Sequence, residues 1–272
     1  MSPKIHIYTA PTNAFYVNSF LIEGDDGVIV VDTQFLVSSA GALRKSFEAL
    51  AKPLAAVIIT HPHPDHYNGL SVFLEGLPVA PIYATRPTID GIKATHAEKR
   101  AAWAPIYGDD YPKVNVLPNR VVDDERLVIA GIELRMLDLG PGESSDVTVI
   151  HVPDADALLA SDLIYSRCHP WLAESRSNAW LRQIEDIDQR FGQVSRIFPG
   201  HGPEGGRELL DEQRRYILEF RKTVSQCRSA SNLVDDCIAK TREQTIRGRP
   251  DWPLDMLIDT NAKAMLAELS GK

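Results

Sequence analysis

Cysteine is scarce in this 272-residue sequence, which carries only Cys168, Cys227 and Cys237. The count is odd and no C-x-x-C pair occurs, so the spacing suggests neither a disulfide framework nor a thiolate zinc knot. No stretch approaches the ~20 apolar residues that span a bilayer, so no membrane partner is expected. Positive charge is in deficit: 29 Lys and Arg against 37 Asp and Glu give a formal net charge of −8. With no compact basic cluster and no stacking platform, nucleic acid is not an expected partner either. A G-x-S-x-G elbow and a reactive-cysteine pattern are both missing, which removes the common protein nucleophiles. Residues 1–10 hold one lysine and no long apolar run. They do not read as a signal peptide, and the expected location is cytoplasmic. Any chemistry must come from histidine and carboxylate side chains.

What is present is ample for a core. A hydrophobic content of 44% over this length suits one large domain, or a domain with an appendage. Short β-prone runs occupy 4–9 and 15–23, and Gly24-Asp25-Asp26-Gly27 makes a hairpin turn into the apolar run 28–31, which ends at Asp32. Residues 38–50 carry helical periodicity, closed by Pro53. Residues 55–59 form a continuous apolar run between breakers, the pattern of a buried strand. Helical patterns follow at 67–75 and 87–104, with a short strand at 81–84 between them. A second set of strands is expected from Arg120, at 126–130, 132–137, 147–152 and 157–160. A helix over 178–191 and a strand over 196–198 follow. From Glu208, Leu210, Ile217, Phe220, Val224 and Cys227 recur at helical spacing. Strand–helix order thus appears twice, with a break near Arg120. The apolar C-terminal helices cover a face or make a homodimer contact.

The densest chemical signal is His61-Pro62-His63-Pro64-Asp65-His66, on the loop leaving the 55–59 strand. Imidazoles and a carboxylate suit a borderline ion such as zinc. Residues two apart in an extended loop point the same way, so His61 and His63 can grip one ion while Asp65 and His66 face a second position. Pro62 and Pro64 fix φ and reduce the entropy lost on ordering the ligands. A lone histidine is usually a satisfied core or surface residue; three with an aspartate in six residues reverse that preference.

The run Thr60-His61-Pro62-His63-Pro64-Asp65-His66 resembles the H-x-H-x-D-H signature of the metallo-β-lactamase superfamily, which includes glyoxalase II, lactonases and class B β-lactamases. The resemblance extends over roughly 15–202. It takes in Asp32, Ala160-Ser161-Asp162, where Ser161 replaces the family's usual glycine, and Pro199-Gly200-His201-Gly202. It implies an α+β fold: a four-layer αββα sandwich over 1–204, with a helical C-terminal extension over 205–272. It implies one zinc ion on His61 and His63, another on Asp65, His66 and His201, and Asp162 bridging them. The family's further histidine for the first ion is replaced here by Glu143, in Gly140-Pro141-Gly142-Glu143-Ser144. A glutamate oxygen can bind zinc, and two histidines with one carboxylate also suit ferrous iron. Should Glu143 not reach, the centre holds one ion; His151 is the remote substitute.

Near this site, Tyr165 lies where some lactonases of the superfamily carry a substrate-touching tyrosine, against the plainer reading of an aromatic packed alongside. His169 lies beyond Asp162 and is a second candidate for substrate contact. Trp103, Trp171 and Trp180 wall a pocket or, by default, fill a core. Asp123, Asp124 and Glu125 read as a solvated turn. The implied activity is a metallohydrolase for a small-molecule substrate, opening an ester, thioester or lactone carbonyl with a zinc-activated hydroxide. Asp65 would orient that hydroxide as the catalytic carboxylate. The rivals are an iron-dependent, persulfide dioxygenase-like oxygenase and a ligand-binding member of the fold with weak turnover.

Overall fold

The computed structural model describes residues 2–230 and 233–271. Met1, within the 1–10 run read above for a signal peptide, and Ser231, Asn232 and Lys272, within the expected C-terminal helical region, lie outside the described residues. The first sheet has the order β1 (Lys4–Thr9), β2 (Asn18–Glu23), β3 (Val28–Val31), β4 (Leu54–Ile58), β5 (Ile82–Ala84) and β6 (Arg120–Val121). The β1–β2 and β2–β3 pairings are antiparallel, and those from β3 to β6 are parallel. The parallel crossovers carry α1 (Val37–Glu48), the short α2 (Pro64–Tyr67) and α3 (Leu70–Phe73), and α4 (Arg86–Tyr107). The second sheet contains β7 (Arg126–Ile129), β8 (Ile132–Asp138), β9 (Thr148–Val152), β10 (Ala157–Tyr165) and β11 (Arg196–His201), in sequential order. Helix α5 (Ser177–Phe191) crosses from β10 to the parallel β11. Helices α6 (Glu208–Ala230), α7 (Val234–Gly248) and α8 (Ile258–Leu269) complete the chain.

The period-two pleat sorts these strands into layers. On β2 and β3, Phe20, Ile22, Ile29 and Val31 face the second sheet and meet Leu134, Ile150, Leu159 and Phe198. Their alternates Leu21, Val28 and Val30 face outward onto Leu43 and Phe47 of α1 and Ile89 and Ile92 of α4. On the far side, Val149, Leu158 and Ala160 pack against Trp180, Ile184 and Ile187 of α5 and against Ile217, Phe220 and Met265 of the C-terminal helices. Helix, sheet, sheet and helix form four layers, the αββα sandwich that the resemblance implies. Trp180 belongs to the outer core, its indole N–H donating to the Leu163 carbonyl at 2.8 Å, and does not wall a pocket.

The second sheet does not begin at Arg120, as the sequence suggests. Arg120 and Val121 pair with Tyr83 and Ala84 at the edge of the first sheet, so the division falls between β6 and β7. The expected helix at 67–75 is two single-turn pieces, because Gly69 must lie against Thr33 and Gln34. A Cβ there would stand 2.0 Å from the Thr33 carbonyl oxygen. The expected 157–160 strand continues to Tyr165, which carries Asp162 into the sheet.

Candidate metal centre

Asp32, Thr60 and His201 lie at or just past the ends of β3, β4 and β11, and Asp162 lies within β10. Asp32 follows β3 in a left-handed conformation, φ 60°. Its carboxylate accepts from the Thr60 backbone N–H at 2.9 Å and the Thr60 hydroxyl at 2.8 Å, and lies 2.8 Å from His66 Nδ1. The aspartate therefore ties the start of the histidine loop to its end. Gly91 of α4 lets that loop close down, since a Cβ there would meet the Pro62 ring at 2.9 Å.

Two clusters result. In the first, His61, His63, Glu143 and Asp162 each bring a ligand atom to within 4.8 Å of the others; in the second, Asp65, His66 and His201 do the same. His61 Nε2 is 3.6 Å from Asp162 Oδ2 and 4.0 Å from Glu143 Oε2, while His63 Nδ1 is 3.5 Å from Glu143 Oε1. Asp65 Oδ2 lies 3.6 Å from His66 Nε2 and 3.4 Å from His201 Nε2. Asp162 joins the clusters, with Oδ1 3.2 Å from His66 Nε2 and Oδ2 3.2 Å from His201 Nε2. The six residues that the resemblance implies as ligands thus converge, and Glu143, which stands where the family has a histidine, joins them.

The donor set fits a pair of cations. His61 Nε2, His66 Nε2, Glu143 Oε2 and Asp162 Oδ1 are buried and have no hydrogen-bond partner, a costly arrangement unless an ion completes it. Burial pushes the His61 imidazole well below its ordinary range, and the charges of His66 and His63 push the same way. Burial pushes the Glu143 carboxyl well above its range, reinforced by the charge of Asp162. Burial would also raise Asp162, but the charges of His66, His201 and His61 outweigh it and hold that carboxyl well below its range. His61 and Asp162 thus already have the neutral and anionic forms that bind metal, whereas Glu143, and His66, which the charges of Asp162, Asp65 and Asp32 hold well above its range, give up a proton when an ion binds.

Each histidine is held by its other ring nitrogen, the usual support of a metal-ligating imidazole. His66 leans on Asp32, His201 Nδ1 lies 2.7 Å from the Phe15 carbonyl oxygen, and His61 Nδ1 lies 3.0 Å from the Thr60 hydroxyl and 3.2 Å from the Ser161 hydroxyl. Ser161, where the family usually has glycine, adopts φ 49°, the left-handed region that glycine enters freely. The fourth, His63 Nε2, lies 3.6 Å from Glu174 Oε1. Glu174 is held at 2.8 Å by Arg176, and the neighbouring His63 imidazole, with Arg176, brings its carboxyl down to about 2.

Several supporting residues carry no sequence signal. Glu174 belongs to no motif. Gln183 of α5 donates to the carbonyls of Leu139, Gly140 and Pro141 at 2.9–3.1 Å and so pins the loop that carries Glu143. Gly142 gives that amide room, since a Cβ there would stand 1.9 Å from Gln183 Oε1. Tyr165 does reach the centre: its hydroxyl lies 2.6 Å from Asp162 Oδ2 and 3.0 Å from Glu143 Oε1, and its ring stacks on His201 at 4.5 Å. His169 does not line the pocket over the centre, contrary to the sequence expectation. The chain turns away after β10, and His169 is buried with Nδ1 2.8 Å from the Tyr216 hydroxyl and its ring beside Trp252. His151 stays in β9 against Phe191, away from the centre. Trp103 and Trp171 do line that pocket.

Residues 12–216 match the family model of the metallo-β-lactamase superfamily. The chain belongs to that superfamily. A linear primary-alkylsulfatase of Pseudomonas sp. is 24% identical over 263 residues, covering 84% of this chain but 46% of the relative. A type 2 metallo-β-lactamase of Bacillus cereus is 25% identical over 197 residues, covering 71% of this chain and 70% of its own. Among solved structures, a stereoselective inverting sec-alkylsulfatase of Pseudomonas sp. superposes with TM-score 0.65 at 18% identity, over 92% of this chain and 47% of its own. A metallo-β-lactamase of Pontibacter korlensis gives 0.60 at 19%, over 79% and 94%. The chain thus spans about half the length of the alkylsulfatases it matches. Family and ligand cluster together give this chain a candidate metal centre on the metallo-β-lactamase fold. Among the described residues no helix is long and apolar enough to cross a membrane.

Proposed function

We propose that the protein is a zinc hydrolase acting on a small ester, thioester or lactone. The observation that carries the reading is the pair of ligand clusters sharing Asp162 at the foot of an apolar pocket. His61, His63 and Glu143 would hold one ion, Asp65, His66 and His201 the other, with Asp162 between them. Zinc bound there would supply Lewis acidity and lower the pKa of water to about 7. The chain's own contributions are positional. Asp65 is the ligand-cluster carboxylate most open to the pocket, its side chain 15% exposed, and can accept and return a proton there. The Tyr165 hydroxyl sits between Glu143 and Asp162 and fixes their spacing. Apolar walls exclude bulk water and strengthen each of these interactions.

One observation favours a sulfate ester as a second reading. The alkylsulfatase match covers 84% of the chain and the β-lactamase match 71%, while the family model ends at residue 216. The test is turnover by zinc-loaded protein of a panel holding one alkyl body and varying the scissile group: carboxylic ester, thioester, lactone and sulfate. Zinc-dependent cleavage of the carbonyl substrates supports the first reading. Cleavage of the sulfate alone moves the assignment to the second, and oxygen consumption by iron-containing protein overturns both.

A further inference from the structure

We infer that the substrate of this centre is an amphiphile, an apolar body carrying an anionic group that Lys99 receives. The inference rests on the pocket being the substrate pocket of the hydrolase proposed above. Its walls are Phe15, Phe35, Trp103, Trp171, Leu254 and Leu257. Its polar floor is His63, Asp65, Tyr165 and His201, of which three are metal-ligand candidates and the tyrosine is engaged with Glu143 and Asp162. Once the floor has met its ions, the surface left for a substrate is hydrocarbon and one ammonium group, that of Lys99.

Lys99 is placed there by helix geometry. It stands four residues before Trp103 on α4, so the two share a face. Trp103 packs edge-on against Phe15 at 5.4 Å and Phe35 at 5.9 Å, which clamps that face of α4 over the centre. Among the described residues Lys99 is the one cation in the lining of this pocket, and several neighbouring or comparable cations are engaged elsewhere. Lys52 pairs with Glu23, Lys93 with Asp90 and Lys113 with Asp109. The adjacent Arg100 donates to the Pro112 carbonyl and lies over the Tyr111 ring. Among the described residues no carboxylate pairs with Lys99, although the chain has eight more acids than bases. A half-buried ammonium beside hydrocarbon, with no internal counter-charge, attracts an anion more strongly than one in bulk water.

The test is a titration of zinc-loaded protein with octanesulfonate and with octan-1-ol, read by the fluorescence of Trp103 and Trp171 in the pocket wall. Wild type is expected to bind the sulfonate at least tenfold more tightly than the alcohol. Lys99→Met should lose at least fivefold in sulfonate affinity, keep the alcohol within twofold, and keep its zinc content. Lys99→Arg should retain the preference. A preference that survives in Lys99→Met would assign the anion to the metal ions and overturn the inference, as would equal binding of both probes by wild type. Binding needs no turnover, so an inactive panel above would sink the hydrolase reading without altering this result.

Discussion

Glu174 and Glu143 stand on opposite sides of the His63 ring, Glu174 Oε1 3.6 Å from Nε2 and Glu143 Oε1 3.5 Å from Nδ1. The arrangement leaves Nδ1 as the nitrogen that faces the ligand cluster and Nε2 as the one that donates outward. It repeats, with a glutamate from a distant loop, what Asp32 does behind His66. Glu174→Gln should therefore weaken metal binding by about 10–100-fold, the usual effect of losing such a support. Competition against a chromophoric chelator measures it, and Glu174→Asp should recover part of the loss. Equal affinities in wild type and Glu174→Gln would show that His63 is held by packing alone.

Gly200 lies so close to Asp162 that a Cβ would stand 1.9 Å from Oδ1. Gly200→Ala must displace the carboxylate shared by both clusters. The expected outcome is loss of at least one bound ion per chain with the fold retained, read by metal analysis alongside circular dichroism. Unchanged metal content would mean that Asp162 is not shared.

Ser161 trades backbone strain against hydrogen bonding. Its left-handed φ costs about 1–2 kcal/mol, while its hydroxyl reaches Thr60 and His61 at 2.9 and 3.2 Å in bonds worth about 1 kcal/mol each. Ser161→Gly loses both and should fall within about 1 kcal/mol of wild type in urea denaturation of metal-free protein. Ser161→Ala keeps the strain and loses the bonds, so it should be less stable by about 1–3 kcal/mol. The reverse ranking of the two variants would refute this balance.

Asp146 supports α4, accepting from the hydroxyls of Thr85 and Thr88 at 2.8 and 2.5 Å. Burial, assisted by Asp138, pushes its carboxyl up to about 6, above the value of 3.8 for a free aspartate. Between about 4 and 6 the folded state binds more protons than the unfolded state, so this group's contribution to stability falls as pH rises through that window. Asp146→Asn should flatten that part of the stability–pH curve. A slope identical to wild type would assign it to other groups.

The histidine loop was legible because its ligands are adjacent in sequence and follow a strand. Each layer of the fold was legible for a related reason: period-two strands and amphipathic helices write their buried faces locally. Glu143 was legible only by resemblance, since nothing in its own loop distinguishes a ligand from a surface glutamate. Glu174 stands beside His63 from 111 positions away and Lys99 shares a pocket lining with His63 from 36 positions away, and no local pattern carries such a relationship. His169 was misread for the opposite reason. It is seven positions beyond Asp162, but β10 runs on to Tyr165 and delivers the chain into the packing of Tyr216 and Trp252. The strand at Arg120 was assigned to the wrong sheet because pairing partners are a tertiary property.

The central claim is that Glu143 completes the first cluster in place of a histidine. Metal analysis of wild type and Glu143→Ala, each purified without added metal, tests it most directly. Near two zinc ions per chain are expected in wild type and about one in the variant, the lost ion being that of His61 and His63. One ion in both proteins would contradict it, leaving Glu143 a buried carboxyl bound to Tyr165 and the centre mononuclear.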